Sequence, residues 1–293
     1  MKKMLLKIVL GVLLAAVLAS AVSAVVCSRE LKVTEYDVGI DGLTSPARVV
    51  VISDLHSREY GEDNSTLLAL IAAQSPDAVF AVGDMINRSA DEEDILQFLE
   101  LLVKLQEIAP VYYSPGNHES DYMADRDSGL LGRVSATGVT VLLDEYVETQ
   151  LGGNTVRIGG TMGHYYRYEW SEEQKNDPPD YAMQEEIGST DVPSIVLMHM
   201  PENMIADSAR KNWNADLYIS GHTHGGVVRL PLIGGLVAPT QGLFPKYDQG
   251  FFTVDGRLKL IITSGLAGYG PIPRIFNRPE ICVIDMAPPT GGK

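Results

Sequence analysis

Short apolar runs of the β-strand type recur along the chain, and five of them end in side chains that can bind metal ions. In chain order these segments are VVVISDLH (49–56), DAVFAVGD (77–84), VYYSPGNHE (111–119), SIVLMH (194–199) and ADLYISGHTHGG (215–226). In an open α/β sheet, ligands bind beyond the carboxyl ends of the strands, so segments that are distant in sequence can share one pocket. The pattern therefore predicts a site for two metal ions.

Helical patterns separate the first three of these strands. Asn64 can cap a helix that runs through Ala73, and Ser89 with Glu92 resembles a capping box that opens a helix to about Ile108. The apolar positions expected to face inward from this second helix are Ile95, Leu99, Leu102, Val103 and Leu105. Alternating strands and helices in this order are typical of a parallel sheet covered by helices.

The second half of the chain predicts more strands than helices. We expect strands at residues 139–147 and 155–160, a helix near residues 202–210 and a last strand at residues 281–286. Asp255-Gly256 lies between apolar runs at 250–254 and 257–263, and this dipeptide favours a hairpin because glycine adopts positive φ without steric cost. Residues 28–46 are predicted to be a connector, and residues 47–293 one domain of two sheets sandwiched between helices.

The amino terminus has a different pattern. Lys2, Lys3 and Lys7 precede an uncharged, almost entirely apolar stretch at residues 8–26, whose length approaches the ~30 Å hydrocarbon thickness of a bilayer. This predicts that residues 1–27 enter a membrane, either as a single-pass anchor, which we favour, or as a cleaved signal peptide. The lysines are expected to stay cytoplasmic, so the rest of the chain would be extracytoplasmic, or secreted after cleavage.

Charge and cysteine content narrow the possible partners. Residues 1–27 contain three lysines and no acidic residue, so the rest of the chain has 20 Lys and Arg against 38 Asp and Glu, a formal charge of −18. Such a field repels nucleic acid, which we exclude as a partner. Cys27 lies at the membrane boundary and Cys282 lies inside the apolar run 281–284, so we do not expect a disulfide between them. Lipid attachment at Cys27 stays an alternative, although Ala24-Val25-Val26 lacks the small residues expected before it.

The side chains at the strand ends combine carboxylates with imidazoles. Asp54 and His56 are two residues apart, which in an extended segment puts both side chains on one side. Mixed carboxylate and imidazole ligands suit Mn, Fe or Zn better than Ca or Mg. His222 and His224, among three glycines, are hard to explain without a metal, whereas His164 lies outside the motifs and is expected to be structural. The other candidate site residues are Asp84, Asn117, His118 and His199.

These motifs together carry a resemblance to a known family. D-x-H, G-D, G-N-H-E, a later H and G-H-x-H, in this order, resemble the calcineurin-like metallophosphoesterase superfamily over roughly residues 45–287. The segments LPLIGGLVAPTQGLFPKYDQGFF and SGLAGYGPIPRIFNRPEI are similar to its membrane-associated branch, which includes YkuE-type and YaeI-type phosphodiesterases. The resemblance implies an α/β fold, a four-layer α/β/β/α sandwich preceded by an N-terminal membrane helix.

The resemblance also implies two divalent metal ions, Mn, Fe or Zn, and a role for each motif residue. Asp84 would bridge the ions, and His118, helped by Asp84, would protonate the leaving alkoxide after a metal-bridging hydroxide attacks phosphorus. The first metal ion would also bind Asp54, His56 and His224. The second would also bind Asn117, His199 and His222.

The substrate is defined less closely than the chemistry. The resemblance implies a phosphodiester, phosphomonoester or pyrophosphate, with a lipid or a nucleotide-lipid such as UDP-2,3-diacylglucosamine among the candidates. Arg58, Arg274 and Arg278 are candidates for holding substrate oxygens, because the planar guanidinium suits phosphate. The apolar residues 230–243 form either a buried connection or a lip for acyl chains. The alternative to an enzyme is a catalytically silent, membrane-anchored metal-binding module; in either case we expect a monomer.

Overall fold

The computed structural model describes residues 1–161, 182–205, 213–270 and 272–289. The helices are α1 (Lys2–Cys27), α2 (Ser65–Ala72), α3 (Glu92–Gln106), α4 (Asn117–Asp125), α5 (Leu130–Ala136), α6 (Ala182–Ile187) and α7 (Glu202–Ile205). The first nine strands are β1 (Lys32–Gly39), β2 (Ala47–Ile52), β3 (Ala78–Val82), β4 (Val111–Ser114), β5 (Thr140–Val141), β6 (Glu145–Leu151), β7 (Asn154–Thr161), β8 (Ser194–Met198) and β9 (Leu217–Ser220). The others are β10 (Arg229–Leu230), β11 (Gly234–Gly235), β12 (Val237–Ala238), β13 (Gly242–Leu243), β14 (Gly250–Val254), β15 (Leu258–Ile262) and β16 (Glu280–Ala287).

Two six-stranded mixed sheets form the centre of the fold. The first has the order β1-β16-β2-β3-β4-β5, and its strands are parallel except where β16 pairs with β2. The second has the order β14-β15-β9-β8-β7-β6, with antiparallel pairs at both ends and a parallel centre. The parallel strands that precede the motifs therefore lie side by side within each sheet.

Three apolar cores separate four layers. Along β2, Val49 and Val51 pack between the two sheets, whereas Val50 and Ile52 pack under the helices that cover the first sheet. Because both faces of such a strand are buried, its sequence is a continuous run of apolar residues. A third core, which includes Trp213, covers the outer face of the second sheet. The predicted α/β/β/α sandwich is thus confirmed.

Residues 28–46, predicted to be a connector, contain a strand. Residues Lys32–Gly39 form β1, which pairs along its whole length with β16 at the edge of the first sheet. Only Val38 in this strand is buried, so its sequence lacks the apolar run that marks the central strands. An edge strand with one half-exposed face gives a weak signal in a hydrophobic pattern.

Local predictions in the helices were partly wrong. The N-cap of α3 is Asp91, which accepts hydrogen bonds from the backbone N–H groups of Glu93 and Asp94. The helix therefore begins at Glu92, and the predicted cap at Ser89 was wrong. Val103, expected to face inward, is exposed, and Phe98 is buried instead. The predicted strand at 139–147 is two strands, β5 and β6. The hairpin at Asp255-Gly256 is present, while His164 and residues 206–210 lie outside the described residues.

Helix α1 lies apart from the three cores. It is the one helix in the described part of the chain that is long and apolar enough to cross a membrane, and none of its most apolar 18-residue window is buried. Its last turns nevertheless contact the sandwich, because the backbone N–H of Phe276 donates to Ser23 Oγ at 2.6 Å. Cys27 and Cys282 are both buried as free thiols.

Glu280 joins β16 to its surroundings through a buried carboxylate. It accepts hydrogen bonds from Thr34 Oγ1 at 2.5 Å and the Ser264 backbone N–H at 2.7 Å, and it pairs with Lys32 Nζ at 2.8 Å. Burial alone would raise the pKa of Glu280, but Lys32 and these hydrogen bonds hold it below the usual range. The ionised carboxylate therefore stabilises the folded state.

We predict that Glu280→Gln lowers the free energy of unfolding by about 2 kcal/mol at pH 7, because it removes the negative charge of a partly buried ion pair. The folded pKa is depressed, so the contribution of Glu280 is present above the unfolded pKa and is lost as pH falls through the folded value. Denaturant unfolding in detergent should show the difference between the two chains shrinking as pH falls through the folded pKa of Glu280. Glu145→Gln, at an exposed strand position, is the matched control, and an equal loss there would contradict the assignment.

Candidate metal centre

The predicted site residues come together at one rim shared by the two sheets. Strands β2, β3 and β4 of the first sheet and β8 and β9 of the second each lead into one of the five motifs. The side chains gathered at their ends are Asp54, His56, Asp84, Asn117, His118, His199, His222 and His224. All but His56, Asn117 and His118 are buried, and those three are half-buried.

Much of the backbone that carries these side chains is in the left-handed region. Asp54, His56, Asp84, His222 and His224 have φ between +48° and +68°. The expectation that Asp54 and His56 share one side of an extended segment was therefore wrong, because β2 ends at Ile52 and both residues lie in the loop beyond it. Left-handed backbone is costly for residues other than glycine and is concentrated at functional sites.

Asp84 lies in the middle of the cluster. Its Oδ2 atom is 3.1 Å from His199 Nε2, 3.8 Å from His56 Nε2 and 3.9 Å from His118 Nε2. Its other oxygen, Oδ1, accepts a hydrogen bond of 2.8 Å from the backbone N–H of His118. One carboxylate thus contacts imidazoles that come from both sheets.

Asp54 occupies the neighbouring position. Its Oδ1 atom is 3.7 Å from His224 Nε2, 3.9 Å from His199 Nε2 and 4.0 Å from His56 Nε2. The backbone N–H of His222 donates to both oxygens of the carboxylate at 3.1 Å. The two carboxylates therefore share His56 and His199 as neighbours, which places them at adjacent parts of one centre.

Close contact of backbone segments makes this arrangement possible. A Cβ atom on Gly116 would lie 2.3 Å from Asp84 Oδ1, and one on Gly221 would lie 2.0 Å from Ser53 Oγ and 2.5 Å from Asp54 Oδ2. Any larger residue at these two positions would displace a carboxylate. The glycines that precede Asn117 and His222 are thus required by space rather than by flexibility.

In three of the histidines an oxygen acceptor faces the Nδ1 side of the ring. The Nδ1 atom of His56 is 3.2 Å from Asn87 Oδ1. That of His199 is 2.7 Å from the Val82 carbonyl oxygen, and that of His224 is 3.2 Å from the Ala267 carbonyl oxygen. An acceptor opposite Nδ1 places the proton there in the neutral ring, which leaves Nε2 as an acceptor. This orientation by an outer partner is typical of metal-binding histidines.

His118 has the opposite arrangement. Its Nδ1 atom accepts a hydrogen bond from the backbone N–H of Arg88 at 3.2 Å, so the proton of the neutral ring lies on Nε2. The His118 and His56 rings are 4.5 Å apart between centroids, in an edge-to-face contact. His118 thus directs an N–H donor, rather than a lone pair, into the same space.

Burial keeps the imidazoles of His56, His222 and His224 neutral. Desolvation lowers the pKa of His56 to about 4 and that of His222 to about 3, and it lowers the pKa of His224 well below its usual range. A neutral imidazole has the free lone pair that a metal ion requires. At neutral pH these three side chains are therefore ready to bind a cation.

The carboxylates make the centre electrostatically negative. Burial would lower the pKa of His199, but Asp84 and Asp54 raise it to about 10. Burial also raises the pKa of Asp54 to about 6, whereas the neighbouring imidazoles, His199 foremost, overcome burial and hold the pKa of Asp84 well below its usual range. The centre therefore favours positive charge between these groups.

The donor set fits divalent metal ions. Among the described residues, donor atoms within 4.8 Å of one another form three overlapping groups: Asp54, His56 and His224; His56, Asp84 and His118; Asp84, His199 and His222. Within the described residues, His56 Nε2, Asn117 Oδ1 and His222 Nε2 are buried and have no hydrogen-bond partner. Buried polar atoms are normally paired, so three such atoms in the wall of one site indicate a ligand that binds them.

Glu119 is a functional residue that sequence reasoning did not single out. Its buried carboxylate accepts hydrogen bonds from four backbone N–H groups: Asp84 at 2.8 Å, Met85 at 2.6 Å, Ile86 at 3.2 Å and Gly116 at 2.8 Å. Burial, followed by the charge of Asp84, raises its pKa to about 7. Glu119 ties the loop after β3 to the loop after β4. The glutamate three residues after Gly116, which is the second half of a capping box, was the available signal.

A cavity of about 770 Å³ opens onto the centre. Besides the metal-binding residues, its wall includes Arg58, Arg88, Asp121 and Tyr269. Arg88 was not among the predicted substrate-binding residues and had no signal beyond its position four residues after Asp84. The cavity is large enough for a phosphoester with a sizeable organic group.

The other two predicted arginines lie elsewhere. Arg274 is buried, and its guanidinium donates to the backbone carbonyls of Ser264, Gly265 and Ala267, so it holds the loop behind Asp54. Arg278 lines a separate groove beside α1 and donates to the Leu31 carbonyl at 3.1 Å. Of the three candidates, the structure places Arg58 alone on the wall of this cavity.

Comparison with known proteins agrees with the geometry. A profile of the calcineurin-like phosphoesterase family matches residues 47–226. The chain is 26% identical to the uncharacterized metallophosphoesterase Cj0846 of Campylobacter jejuni, over 87% of this chain and 63% of that protein. It is 26% identical to phosphodiesterase YaeI of Escherichia coli, over 83% of each chain. It is 27% identical to the uncharacterized metallophosphoesterase YkuE of Bacillus subtilis, over 85% of this chain and 80% of that one.

The fold and the site define a class of protein, a four-layer α/β/β/α sandwich with aspartate, asparagine and histidine donors grouped where its strands end. The family match covers more than half of the chain. The chain belongs to the calcineurin-like phosphoesterase family. This family depends on two metal ions, and the chain has residue groups capable of binding them. The chain spans less than two thirds of the length of Cj0846.

We predict that Glu119→Gln lowers metal content and reduces phosphoester turnover by about 10- to 100-fold, although Glu119 contacts no bound ligand. The amide turns an N–H₂ group toward backbone N–H donors, so the loop that carries Asp84 has to shift. Elemental analysis and thermal unfolding of the purified chain measure both effects. Asp125→Asn, an exposed position on the same helix, is the control, and normal metal content in Glu119→Gln would contradict this role.

Proposed function

We propose that the chain is a metal-dependent phosphoric ester hydrolase. The observation that carries the proposal is the contrast between histidines: the neutral rings of His56 and His224 present lone pairs, whereas His118 presents an N–H to the same space. A centre that only stores metal has no use for that donor. This contrast favours an enzyme over a catalytically silent metal-binding module.

The proposed ligands form two sets that share Asp84. The first set is Asp54, His56, Asp84 and His224, and the second set is Asp84, Asn117, His199 and His222. When bound, such a pair of ions polarises the phosphoryl group and activates water as a nucleophile. Mixed oxygen and nitrogen ligands favour Mn, Fe or Zn, and we propose Mn²⁺ as the first ion to assay.

The protein groups around this centre supply the proton and hold the substrate. His118 Nε2–H would donate its proton to the leaving alkoxide, a step that typically contributes about 10²- to 10⁴-fold in rate. Asp84 holds His118 in place through the hydrogen bond from the His118 backbone N–H. Arg58 and Arg88 on the cavity wall would bind the non-reacting phosphate oxygens.

The substrate we propose is a phosphodiester, with a phosphomonoester or pyrophosphate as alternatives. The name of YaeI, phosphodiesterase, supports the diester. The apolar helix α1 supports a substrate in or at a membrane, such as a lipid or a nucleotide-lipid of the UDP-2,3-diacylglucosamine type. Lipid metabolism would then be the setting of the reaction.

We further propose that residues 1–27 are a single-pass anchor and that residues 47–293, extended by β1, are the catalytic domain of a monomer. Helix α1 is long and apolar enough to span a bilayer. Lys2, Lys3 and Lys7 at its start favour a cytoplasmic amino terminus and an extracytoplasmic catalytic domain. Cleavage after α1 would instead release a secreted enzyme.

We predict that the His118→Ala variant retains its metal. Its loss of turnover should be larger for substrates whose leaving group is more basic. p-Nitrophenolate leaves readily without a proton, whereas an alkoxide does not, so the loss should approach about 10²- to 10⁴-fold for an alkyl diester and be smaller for bis(p-nitrophenyl) phosphate. Product release with added Mn²⁺, measured for both substrates, tests this difference.

Asp84→Asn provides the comparison for that variant, because it should lose both metal and turnover. Equal losses on the two substrates in His118→Ala, together with lost metal, would assign His118 a ligand role instead. Unchanged turnover in both variants would overturn the proposed activity.

We predict that the full chain stays in the membrane fraction after alkaline carbonate extraction, since α1 has no charge between Lys7 and Cys27. If the catalytic domain is extracytoplasmic, a reporter enzyme that works only outside the cytoplasm should be active when it is fused after residue 293. Changing Lys2, Lys3 and Lys7 to glutamate should reduce that activity, because the positive charges set the orientation. Release of the chain into the soluble extracytoplasmic fraction would show cleavage instead of anchoring.

A further inference from the structure

An exposed apolar surface lies beside α1 and is not explained by the catalytic centre. It is formed by two segments, residues 231–244 and the described part of residues 269–276. The side chains it exposes are Leu232, Ile233, Leu243, Phe244, Tyr269, Ile272 and Phe276. Leu232 is fully exposed and Leu243 is 70% exposed. Residues 230–243 are therefore not the buried connection that was one of the two expectations.

Part of the apolar surface, formed by Leu232, Ile233 and Phe276, lines grooves beside the last turns of α1. A groove of about 700 Å³ runs between α1, from Leu18 to Cys27, and a wall that includes Arg229 and Phe276. A second groove, lined by residues 229–234 and Phe276, adjoins it. Since both grooves share Arg229 and Phe276, Leu232 and Ile233 lie within one groove's width of the membrane helix.

The length of α1 fixes the depth of this surface. The uncharged residues 8–26 give about 28 Å of helix, no more than the ~30 Å hydrocarbon core, so the bilayer has to reach the level of Val26. The backbone N–H of Phe276 is bonded to Ser23, about 4.5 Å before Val26 along the helix axis. Leu18, at the far end of the groove, is about 12 Å before it. Phe276 therefore lies at the boundary of the hydrocarbon.

Charges around the grooves favour an apolar contact over attraction to anionic lipids. Lys32 pairs with Glu280, Arg229 with Asp248 and Arg278 with Glu30, at 2.8, 2.9 and 3.8 Å. Each cation that lines the two grooves thus has an acidic partner, and the chain without residues 1–27 is strongly acidic. An electrostatic membrane site needs an excess of basic residues.

We propose that this surface docks into the bilayer that holds α1. Leu232, Ile233, Leu243 and Phe244 insert at the boundary between headgroups and hydrocarbon, in the way that apolar side chains anchor peripheral proteins. The occupant is the lipid surface itself, and a second copy of the chain is the competing outcome in the test. The proposal rests on α1 being in a membrane, which is part of the proposed function.

Docking places the mouth of the catalytic cavity at the membrane. Tyr269 lines that cavity and belongs to one of the two apolar segments, and Pro239 lines it from the other. Arg58, also on the cavity wall, donates to the carbonyl of Ser28, the residue that follows α1. A phosphoester whose lipid part stays in the bilayer would reach the centre without leaving the membrane.

The test uses the full chain in phosphatidylcholine vesicles, with single cysteines labelled by an environment-sensitive fluorophore. Labels at Leu232→Cys and Phe244→Cys should emit at shorter wavelength than in water and be quenched by spin-labelled phosphatidylcholine. Leu96→Cys, an exposed apolar position on α3 that lines neither groove, should show neither change. The chain without an added cysteine corrects for Cys27 and Cys282, which are buried.

A label at Val12→Cys, in the middle of α1, separates the two ideas. If the label at position 12 is quenched while the labels at positions 232 and 244 are not, α1 is in the membrane and the docking proposal is wrong. If none is quenched, the anchor and the docking surface are both wrong. Emission that shifts without lipid quenching and depends on protein concentration would identify a second copy as the occupant and overturn the proposal.

Charge substitution gives an independent measurement on a surface that tolerates it. Leu243→Glu combined with Phe244→Glu changes two exposed side chains, so the fold should be retained. The label at Leu232 should then lose its quenching, because carboxylates resist entry into the boundary region. Leu96→Glu with Val103→Glu on α3 is the matched control and should leave the quenching of the Leu232 label unchanged. Equal loss in both backgrounds would contradict docking through these residues.

Discussion

Two buried carboxylates that need positive charge determine how the rim of this molecule is built. Asp54 and Asp84 are almost completely inaccessible, and taking an ionised carboxylate out of water is very unfavourable unless it is paired. Imidazoles from both sheets face them, and His199 touches both. The pKa of His199 rises to about 10 because of these carboxylates, which shows how strongly the centre favours cations. Metal ions would meet that requirement better than protons, since they would also bind the unpaired polar atoms on His56, Asn117 and His222.

The carboxylates can occupy these places only because the surrounding backbone is held in an unfavourable form. The loops after β2, β3 and β9 carry five site residues with positive φ, each of which costs free energy. Glu119 offsets part of this cost by binding four backbone N–H groups in the loops after β3 and β4. Arg274 performs a similar task behind Asp54, through the carbonyls of residues 264–267. The rigidity of the centre therefore comes from charged side chains that touch no substrate.

The sequence predicted what depends on short, regular patterns. Central strands such as β2 and β3 are buried on both faces, so apolar runs reveal them, and the motif residues follow directly at their ends. Strand β1 was missed because an edge strand buries little. The role of Glu119 and the burial of Arg274 were missed because both depend on contacts between segments that are far apart. Spacing alone also could not show that Asp54 and His56 leave the extended conformation, since tertiary contacts impose their left-handed backbone.

Under the proposed function, the acidity of the chain gives α1 a physical role beyond attachment. Without residues 1–27 the formal charge is −18, and such a field slows the approach of free anionic phosphoesters from solution. A substrate held in the bilayer by its own apolar part meets the enzyme by lateral diffusion, so the long-range repulsion matters less. The carbonyl of Ser28, directly after α1, binds Arg58 on the cavity wall, which links the helix to the cavity over a very short distance. Under the proposed function, an acidic enzyme for an acidic substrate is then workable because the membrane brings the two together.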